Sequence, residues 1–492
     1  MSLLVVLVIL LCILIAVWPW FRQHPNAPPE FPGALPILGH SLRVLGDRKH
    51  LWKFLKETMI KGTELGGVIG FWFPTYSIYM ITDPEDSLTL SNACLNKPFF
   101  YDFAKSFINN GLITAEESVW KVHRKLLNPS FNQQVLNTYL NEINVQARSL
   151  VSRLASKVGK EPFDVRRFFI KYTLSSVTRT SLGLNTQDQT TIDTDYAEAI
   201  EHLIASYCDR FQRVWLHLSY IYDLSAMKRQ QNKLMKKLKN IIDPIIHKRK
   251  AELTAINDPN MYDHSTQGNF KPVLDQMLQL AEEKDAFTDS DIREHLDTFV
   301  AAAYDTTSSA LTLILLVIGS DRDIQTRIFN ELQDVLEREN NDLTKEDLPK
   351  LVYMEAVIKE SMRMYPSVPL TARVVKQDVN LKNCTLRAGS QIMIGVYGLL
   401  RHPMWGPDAD QFRPERWLNS ATLPDHPSLY AAFGVGKRNC IGKLYAMMVM
   451  KVALAHIVRR YHITGDIKNV VCQYEVALIP VEGHHISLTQ RT

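Results

Sequence analysis

The stretch FGVGKRNCIG, Phe433–Gly442, sets one cysteine between glycines and basic residues, in a chain of 492 residues that holds only six cysteines. Directly after it, KLYAMMVMKVALAHIVRR has helical periodicity, so Cys440 sits where a glycine-containing loop enters a helix. Unpaired amides at a helix start, the positive end of its dipole, and the neighbouring Lys437 and Arg438 all favour thiolate over thiol. Glycines at 434, 436 and 442 let backbone or a flat ligand come close to the sulfur. A thiolate so placed serves as a nucleophile or as a metal ligand. A nucleophile calls for a partner His or Asp motif, and none is recognisable in the sequence.

The other cysteines, Cys12, Cys94, Cys208, Cys384 and Cys472, are scattered without a C-x-x-C pair, unlike a disulfide-dense secreted domain or a zinc site. A reducing compartment is expected. A net charge of only +4 carries no nucleic-acid footprint, so no nucleic-acid partner is expected. With 46% hydrophobic and 22% charged residues the chain can bury a sizeable core, as two or three domains or as one large helical body with a smaller appendage.

Leu3 to Trp18 is an uninterrupted apolar run, extended by Pro19, Trp20 and Phe21 to nearly the roughly 20 residues that span a bilayer as a helix. No basic residue precedes the run and no clear small-x-small cleavage site follows it, which favours a retained anchor over a signal peptide. The tryptophans with Arg22 and His24 mark an interface with the body on the cytosolic side. Residues 1–21 are therefore expected as a transmembrane anchor and 22–40, rich in proline, as a stiff hinge. Residues 41–492 are then expected as the folded body. Alternation in GGVIGFWFPTYSIYMIT predicts strands, as does VVKQDVNLKNCTLRAGSQIMI, while Asn132 to about Leu336 has helical periodicity. The basic run from Met227 to Lys250 reads as a solvated helical face broken at Asp243-Pro244.

Three further stretches bear on Cys440. In KESMRMYP, Glu360 and Arg363 lie three apart on one helical face. In VWKVHRKLLNPSF, Trp120 and Arg124 lie four apart, an indole donor and a guanidinium suited to a carboxylate. In LDTFVAAAYDTTSSAL, Thr306 shares a face with Ala302 and Ala303. Taken singly, these read as a surface ion pair, a buried tryptophan beside a surface arginine, and close helix packing.

Together and in this order they resemble the cytochrome P-450 superfamily. Phe433, Gly436, Arg438, Cys440 and Gly442 meet all five fixed positions of its F-x-x-G-x-R-x-C-x-G haem signature. By composition such a match arises on the order of once in 10⁴ chains of this size or less. The resemblance implies a mainly α fold with a large helical part and a smaller sheet-rich part. It implies haem b with Cys440 as the axial thiolate, lined by Phe433 and Gly442. Trp120, Arg124, Arg373 and Arg438 become propionate partners, and several cations are expected where two carboxylates are partly buried. FRPERW resembles the superfamily's P-E-R-F turn, so Arg416 would close a scaffold triad with Glu360 and Arg363. Asp305 and Thr306 match the acid and alcohol that relay protons to iron-bound oxygen.

The usual glycine of the distal helix is Ala303. RHPMWGPDADQFRPERW looks like the branch of fatty-acid omega-hydroxylases and many insect enzymes, where a glutamate that esterifies the haem often stands at the position of Ala302. Alanine cannot do this, so terminal-methyl selectivity on fatty acids is in doubt. Tyr304 beside it points to a differently shaped pocket. Glu117 also stands where relatives commonly have glycine. The implied activity is a monooxygenase acting with O2 on an apolar substrate, whether lipid, hormone-like or xenobiotic, at the endoplasmic reticulum membrane. Electrons would come from NADPH through a separate NADPH-cytochrome reductase, with cytochrome b5 as a further candidate, docking on Lys437, Lys443, Lys121 and Lys125. The rivals are a haem-thiolate isomerase or dehydratase, a non-catalytic haem protein that holds ligand, and a tethered helical protein without cofactor.

Overall fold

A computed structural model describes residues 26–74, 76–184, 195–256, 270–336 and 342–491, so the expected anchor lies outside the described residues. The chain divides into two compact units. The first takes residues up to Pro98, Leu370–Ala409 and His426–Asn439; the second takes Phe99–Pro369, Asp410–Asp425 and Cys440–Thr492.

The first unit holds the sheet that alternation predicts. Helix α1 (Arg48–Glu64), begun by Asp47 accepting from the His50 amide at 2.7 Å, leads into an antiparallel hairpin of β1 (Val68–Phe73) and β2 (Tyr76–Ile81). Helix α2 (Pro84–Ala93) starts with proline at its first turn and with Asp83 capping the amides of Glu85 and Asp86. The sheet is completed from far downstream by β3 (Thr371–Val374) and β4 (Gln391–Ile394), in the order β1-β2-β4-β3, with β2 and β4 parallel. The end of the proline-rich segment docks on this sheet. The Phe31 amide donates to the Gly70 carbonyl at 2.9 Å, and buried His40 accepts from the Trp72 amide and donates to the Phe31 carbonyl at 2.8 Å.

The second unit is helical around one long buried helix. Its elements are α3 (Glu117–Leu127), α4 (Gln133–Ala155), α5 (Arg166–Leu182), α6 (Asp195–Gln212), α7 (Ala226–Ile256), α8 (Val273–Lys284), α9 (Asp289–Ser320), α10 (Arg322–Val335), α11 (Val352–Met364) and α12 (Lys443–Arg460). Helix α9 opens on a reciprocal cap: Thr288 Oγ1 accepts from the Asp291 amide at 3.1 Å while Asp291 accepts from the Thr288 amide at 2.9 Å. By length and composition α9 could cross a bilayer, yet 78% of its most apolar window is buried inside the protein. Its leucines and isoleucines from Leu311 to Ile318 are core, each worth about 1.5–3 kcal/mol of burial. Helix α5 packs along it, and α12 lies against α4 and α9. Strands β5 (Tyr461–Thr464) and β8 (His485–Gln490) pair, as do β6 (Val471–Glu475) and β7 (Ala477–Glu482), and β7 rests on α9.

One expectation is corrected here. The basic run does not break at Asp243-Pro244, because α7 continues through Pro244 to Ile256. Pro244 removes an amide, but neighbouring groups hold the turn. Asp243 pairs with Arg293 of α9 through its carboxylate, and its carbonyl lies 2.7 Å from the His247 ring.

Candidate active site

One electrostatic feature of the second unit is buried and structural. Glu360 on α11 is wholly inaccessible and takes Arg363 in a two-pronged contact, Nε to Oε2 at 2.9 Å and Nη2 to Oε1 at 2.8 Å. Arg416 Nε, equally buried, reaches the same carboxylate at 3.0 Å, joined by the Arg413 amide at 2.9 Å and the Trp417 indole at 3.0 Å. Burial pushes the Glu360 carboxyl up, and these donors more than offset it, holding the group below its usual range. Arg363 Nη2 also donates to the Gln411 carbonyl at 3.0 Å. The structure thus brings Glu360, Arg363 and Arg416 into one network that clamps residues 411–417 to α11.

Beyond that segment stands Cys440. Among the described cysteines it is the exposed one; Cys94, Cys208 and Cys384 are buried and Cys472 is partly so. Gly442 is the N-cap of α12 and its amide bonds the sulfur. The sequence argument for a thiolate meets an opposing effect. Dense surroundings push the thiol up, and the Gly442 amide with the charges of Arg124 and Lys443 only partly counter this. Cys440 thus combines an accessible side chain with a thiol pushed up by its surroundings.

Arg124 reaches that sulfur's field from α3, where its Nε donates to Asn128 at 2.7 Å. Trp120, His123 and Leu127 form the buried face of α3, so Trp120 points inward one turn before Arg124. Glu117 opens this helix and pairs with Lys121 at 2.7 Å, an ordinary first-turn ion pair that accounts for an acid at this position.

Along α9 the burial pattern changes abruptly. Residues 294–300 and 307–318 are buried, whereas Ala301, Ala302, Ala303 and Thr306 are partly accessible. A patch of methyls and one hydroxyl is therefore open in the middle of a core helix. Thr306 Oγ1 donates to the Ala302 carbonyl at 2.8 Å. Asp305, one residue earlier, is turned to α5 instead: Arg166 Nη2 lies 3.4 Å from it and 3.0 Å from Glu201 of α6. Burial raises the Asp305 carboxyl to about 7, Arg166 opposing and Glu201 and Glu475 assisting. A carboxylic acid that ionises near neutrality can hold a proton and give it up. Tyr304 is fully buried on the α6 side, its hydroxyl 3.5 Å from the Ala197 carbonyl, so it does not line the open patch.

In the first unit the signature loop is tightly seated. Gly436 has φ +69°, and a Cβ there would lie 2.5 Å from that of Ser91. Phe433 and Arg438 are partly buried and Arg373 fully so, with Arg373 Nη1 donating to Thr371 Oγ1 at 2.9 Å. The Val374 amide donates to the Asn96 carbonyl at 3.0 Å, which brings Lys97 beside Arg373. Burial lowers the Lys97 ammonium well below its usual range, and Arg373 and Arg438 lower it further. Three basic side chains gathered here form a donor set suited to carboxylates. Lys97, Arg166, Glu201 and Glu475 had no signal in the sequence, because each acts through a partner far away in the chain.

The family model described as Cytochrome P450 matches residues 28–485. The chain is 29% identical to cytochrome P450 4c3 of Drosophila melanogaster, covering 94% of this chain and 89% of the relative. It is 30% identical to cytochrome P450 4V2 of Mus musculus, covering 95% and 91%, and 30% identical to cytochrome P450 4c21 of Blattella germanica, covering 88% and 87%. Two insect proteins among these fit the branch that the signatures resemble.

Proposed function

From the premise that this chain belongs to the cytochrome P450 family and is a haem-thiolate monooxygenase of it, we propose a membrane-bound enzyme that oxygenates an apolar substrate with electrons from NADPH through a separate reductase. The observation that carries the site assignment is the pairing of one exposed cysteine, Cys440, with the charge of Arg124. Cys440 is the iron ligand. When bound, the haem supplies the iron at which dioxygen is split, and thiolate donation favours O–O cleavage. Phe433 and Gly442 are assigned to the surroundings of that ligand. Trp120 and Arg124, and separately Lys97, Arg373 and Arg438, are assigned to the haem carboxylates by the chemistry of their donors. Glu360, Arg363 and Arg416 hold scaffold and touch no reactant.

The balance is one substrate C–H bond, one dioxygen, two electrons and two protons in, and one alcohol and one water out. Ala302, Ala303 and Thr306 leave room on α9 for small reactants. Asp305, exchanging its proton near neutrality beside Arg166, is the acid assigned to proton supply, with the Thr306 hydroxyl next to it in the chain. Ala302 offers no carboxylate for a covalent haem link, so substrate selectivity rests on packing.

Exposed apolar side chains support a membrane setting in each unit. Leu35, Ile37, Leu38 and Leu42, just after the prolines, are 40% to 52% exposed, and Trp215, Leu218, Tyr220 and Leu224 stand out between α6 and α7. Lys437, Lys443 and Lys125 are exposed, and Lys121 is exposed but paired with Glu117. They are assigned to docking of an acidic reductase, and charge reversal at Lys437 and Lys443 should slow electron transfer and flatten its salt dependence.

The deciding experiment reconstitutes the protein with reductase and NADPH. A thiolate-type band in the reduced carbon monoxide complex, difference spectra across a panel of apolar compounds, and oxygenated product are expected. Product formed without NADPH would favour an isomerase or dehydratase, and binding without product would favour a ligand-holding protein.

A further inference from the structure

Helices α3 and α9 meet through two imidazoles. His123 Nδ1 lies 2.9 Å from His295 Nε2, and their ring centroids are 4.9 Å apart. His295 is wholly inaccessible and His123 nearly so. The rings are walled by Phe287, 5.0 Å from His123, and by Phe299, stacked 6.2 Å from His295. The proton between them is shared, so one ring donates and the other accepts. Whichever tautomer is present, His295 Nδ1 is buried and makes no hydrogen bond within the protein. A proton at His295 Nδ1 would therefore have no hydrogen-bond acceptor within the protein. Both rings protonated would set two N–H groups against each other, and one extra proton would have to be stabilised among phenyl rings.

The acids that face the pair do not offset this. Asp291, on the same helix as His295, is committed to the Thr288 amide and hydroxyl at 2.9 and 2.6 Å. Glu294 accepts from Asn109 Nδ2 at 2.6 Å, from the Asn110 amide at 3.1 Å and from Ser290 at 2.9 Å. Burial lowers both imidazoles, His295 to about 4, with His123 depressing it further and Asp291 opposing.

We propose that His295 is a positioning residue: through its bond to His123 it fixes α3, and hence Trp120 and Arg124, against α9, and acid releases that hold. His123 lies between Trp120 and Leu127 on the buried face of α3 and is the direct neighbour of Arg124. A displacement at His123 is therefore transmitted to the residue whose charge acts on Cys440. The inference rests on the proposed function only in taking Arg124 to help retain haem.

The sign follows from the folded state resisting protonation. The contribution is complete above the unfolded imidazole value near 6.5 and is lost as pH falls from there towards 4. At pH 5 a ring held at about 4 weakens the closed state by roughly 30-fold.

The test follows haem release from the purified holoprotein by decay of its Soret band between pH 5 and 8, with the thermal unfolding midpoint recorded alongside. Glutamine places an amide where His295 Nε2 lies, and that amide can turn to offer a donor to neutral His123 or an acceptor to protonated His123. His295→Gln should match wild type at pH 7.5 and release haem about 10-fold more slowly than wild type at pH 5. His295→Leu keeps the bulk and removes the bond, and should release haem faster at pH 7.5 with a flatter acid profile. An unchanged acid limb in His295→Gln, or neutral-pH retention by His295→Leu equal to wild type, overturns the proposal. A protein that never takes up haem would overturn the haem assignment instead, and the two failures are distinguished by the starting spectrum.

Discussion

Arg166 reaches Asp305 at 3.4 Å through the same Nη2 atom that holds Glu201 at 3.0 Å. One guanidinium on α5 thus serves carboxylates on α6 and α9, and Glu475 adds a third negative charge to the field at Asp305. Burial, assisted by Glu201 and Glu475 and opposed by Arg166, raises the Asp305 carboxyl to about 7, so near neutrality a proton is readily held and released. Because the raised carboxyl is a donor only while protonated, kcat should fall as pH rises through about 7. Glu201→Gln removes one repelling charge and leaves Arg166 to Asp305, so the fall should move to lower pH. Asp305→Asn should lower kcat about 100-fold and abolish that limb. Turnover at saturating substrate and reductase from pH 6 to 9 measures all three, and an unmoved limb in Glu201→Gln would count against the network.

Cys440 separates from the other thiols by position rather than by type. Cys440→Ser should eliminate the thiolate-type band of the reduced carbon monoxide complex. Serine at Cys94, buried beneath the first unit's sheet, or at Cys472 on β6 should leave the band in place. Loss of the band in either of those two variants would mean that the ligand has been misassigned.

Glu360 accepts from two buried guanidiniums, so neutralising it strands both. Glu360→Gln should cost about 3–5 kcal/mol and release residues 411–417, read as loss of holoprotein and early proteolysis in that segment. Because Arg363 and Arg416 hold the Glu360 carboxyl below its usual range, the clamp is present above the unfolded value near 4.5 and fails as pH drops through the folded one. The thermal-unfolding difference between wild type and Glu360→Gln should therefore be smaller at pH 4 than at pH 7.

What the sequence made legible follows the range of the interactions. The cysteine loop and the E-x-x-R helix are local patterns, and the strands β1 and β2 declare themselves by alternation. The second half of the sheet is less so, since β4 joins β2 from about three hundred residues away, β3 then pairs with β4, and the register depends on packing. Asp305 and Thr306 are adjacent in sequence, yet 100° of helix turn sends one side chain to α5 and leaves the other on the open patch. Neither Arg166 nor His295 carries a local signature, because an ion pair across 139 residues and an imidazole pair across 172 exist only once the helices have packed. The continuity of the helix through Pro244 is hidden from the sequence for the same reason: the contact of Asp243 with Arg293 lies on another helix.

Two glycines of the same loop should respond in opposite ways to a single methyl. Gly436 has φ +69°, and its added Cβ would meet Ser91 at 2.5 Å from the Cβ and 2.9 Å from the backbone carbonyl. Left-handed strain and overlap together predict a loss of roughly 2–5 kcal/mol for Gly436→Ala. Ser91→Gly should not rescue it, because the backbone overlap persists. Gly442 has φ −88°, and its added Cβ would sit 3.9 Å from the Cys440 sulfur, an ordinary contact. Gly442→Ala should therefore remain within about 1 kcal/mol of wild type, since no strain or overlap is introduced. Chemical unfolding midpoints of the two holoproteins provide the comparison, and equal losses would show that the loop yields where the packing says that it cannot.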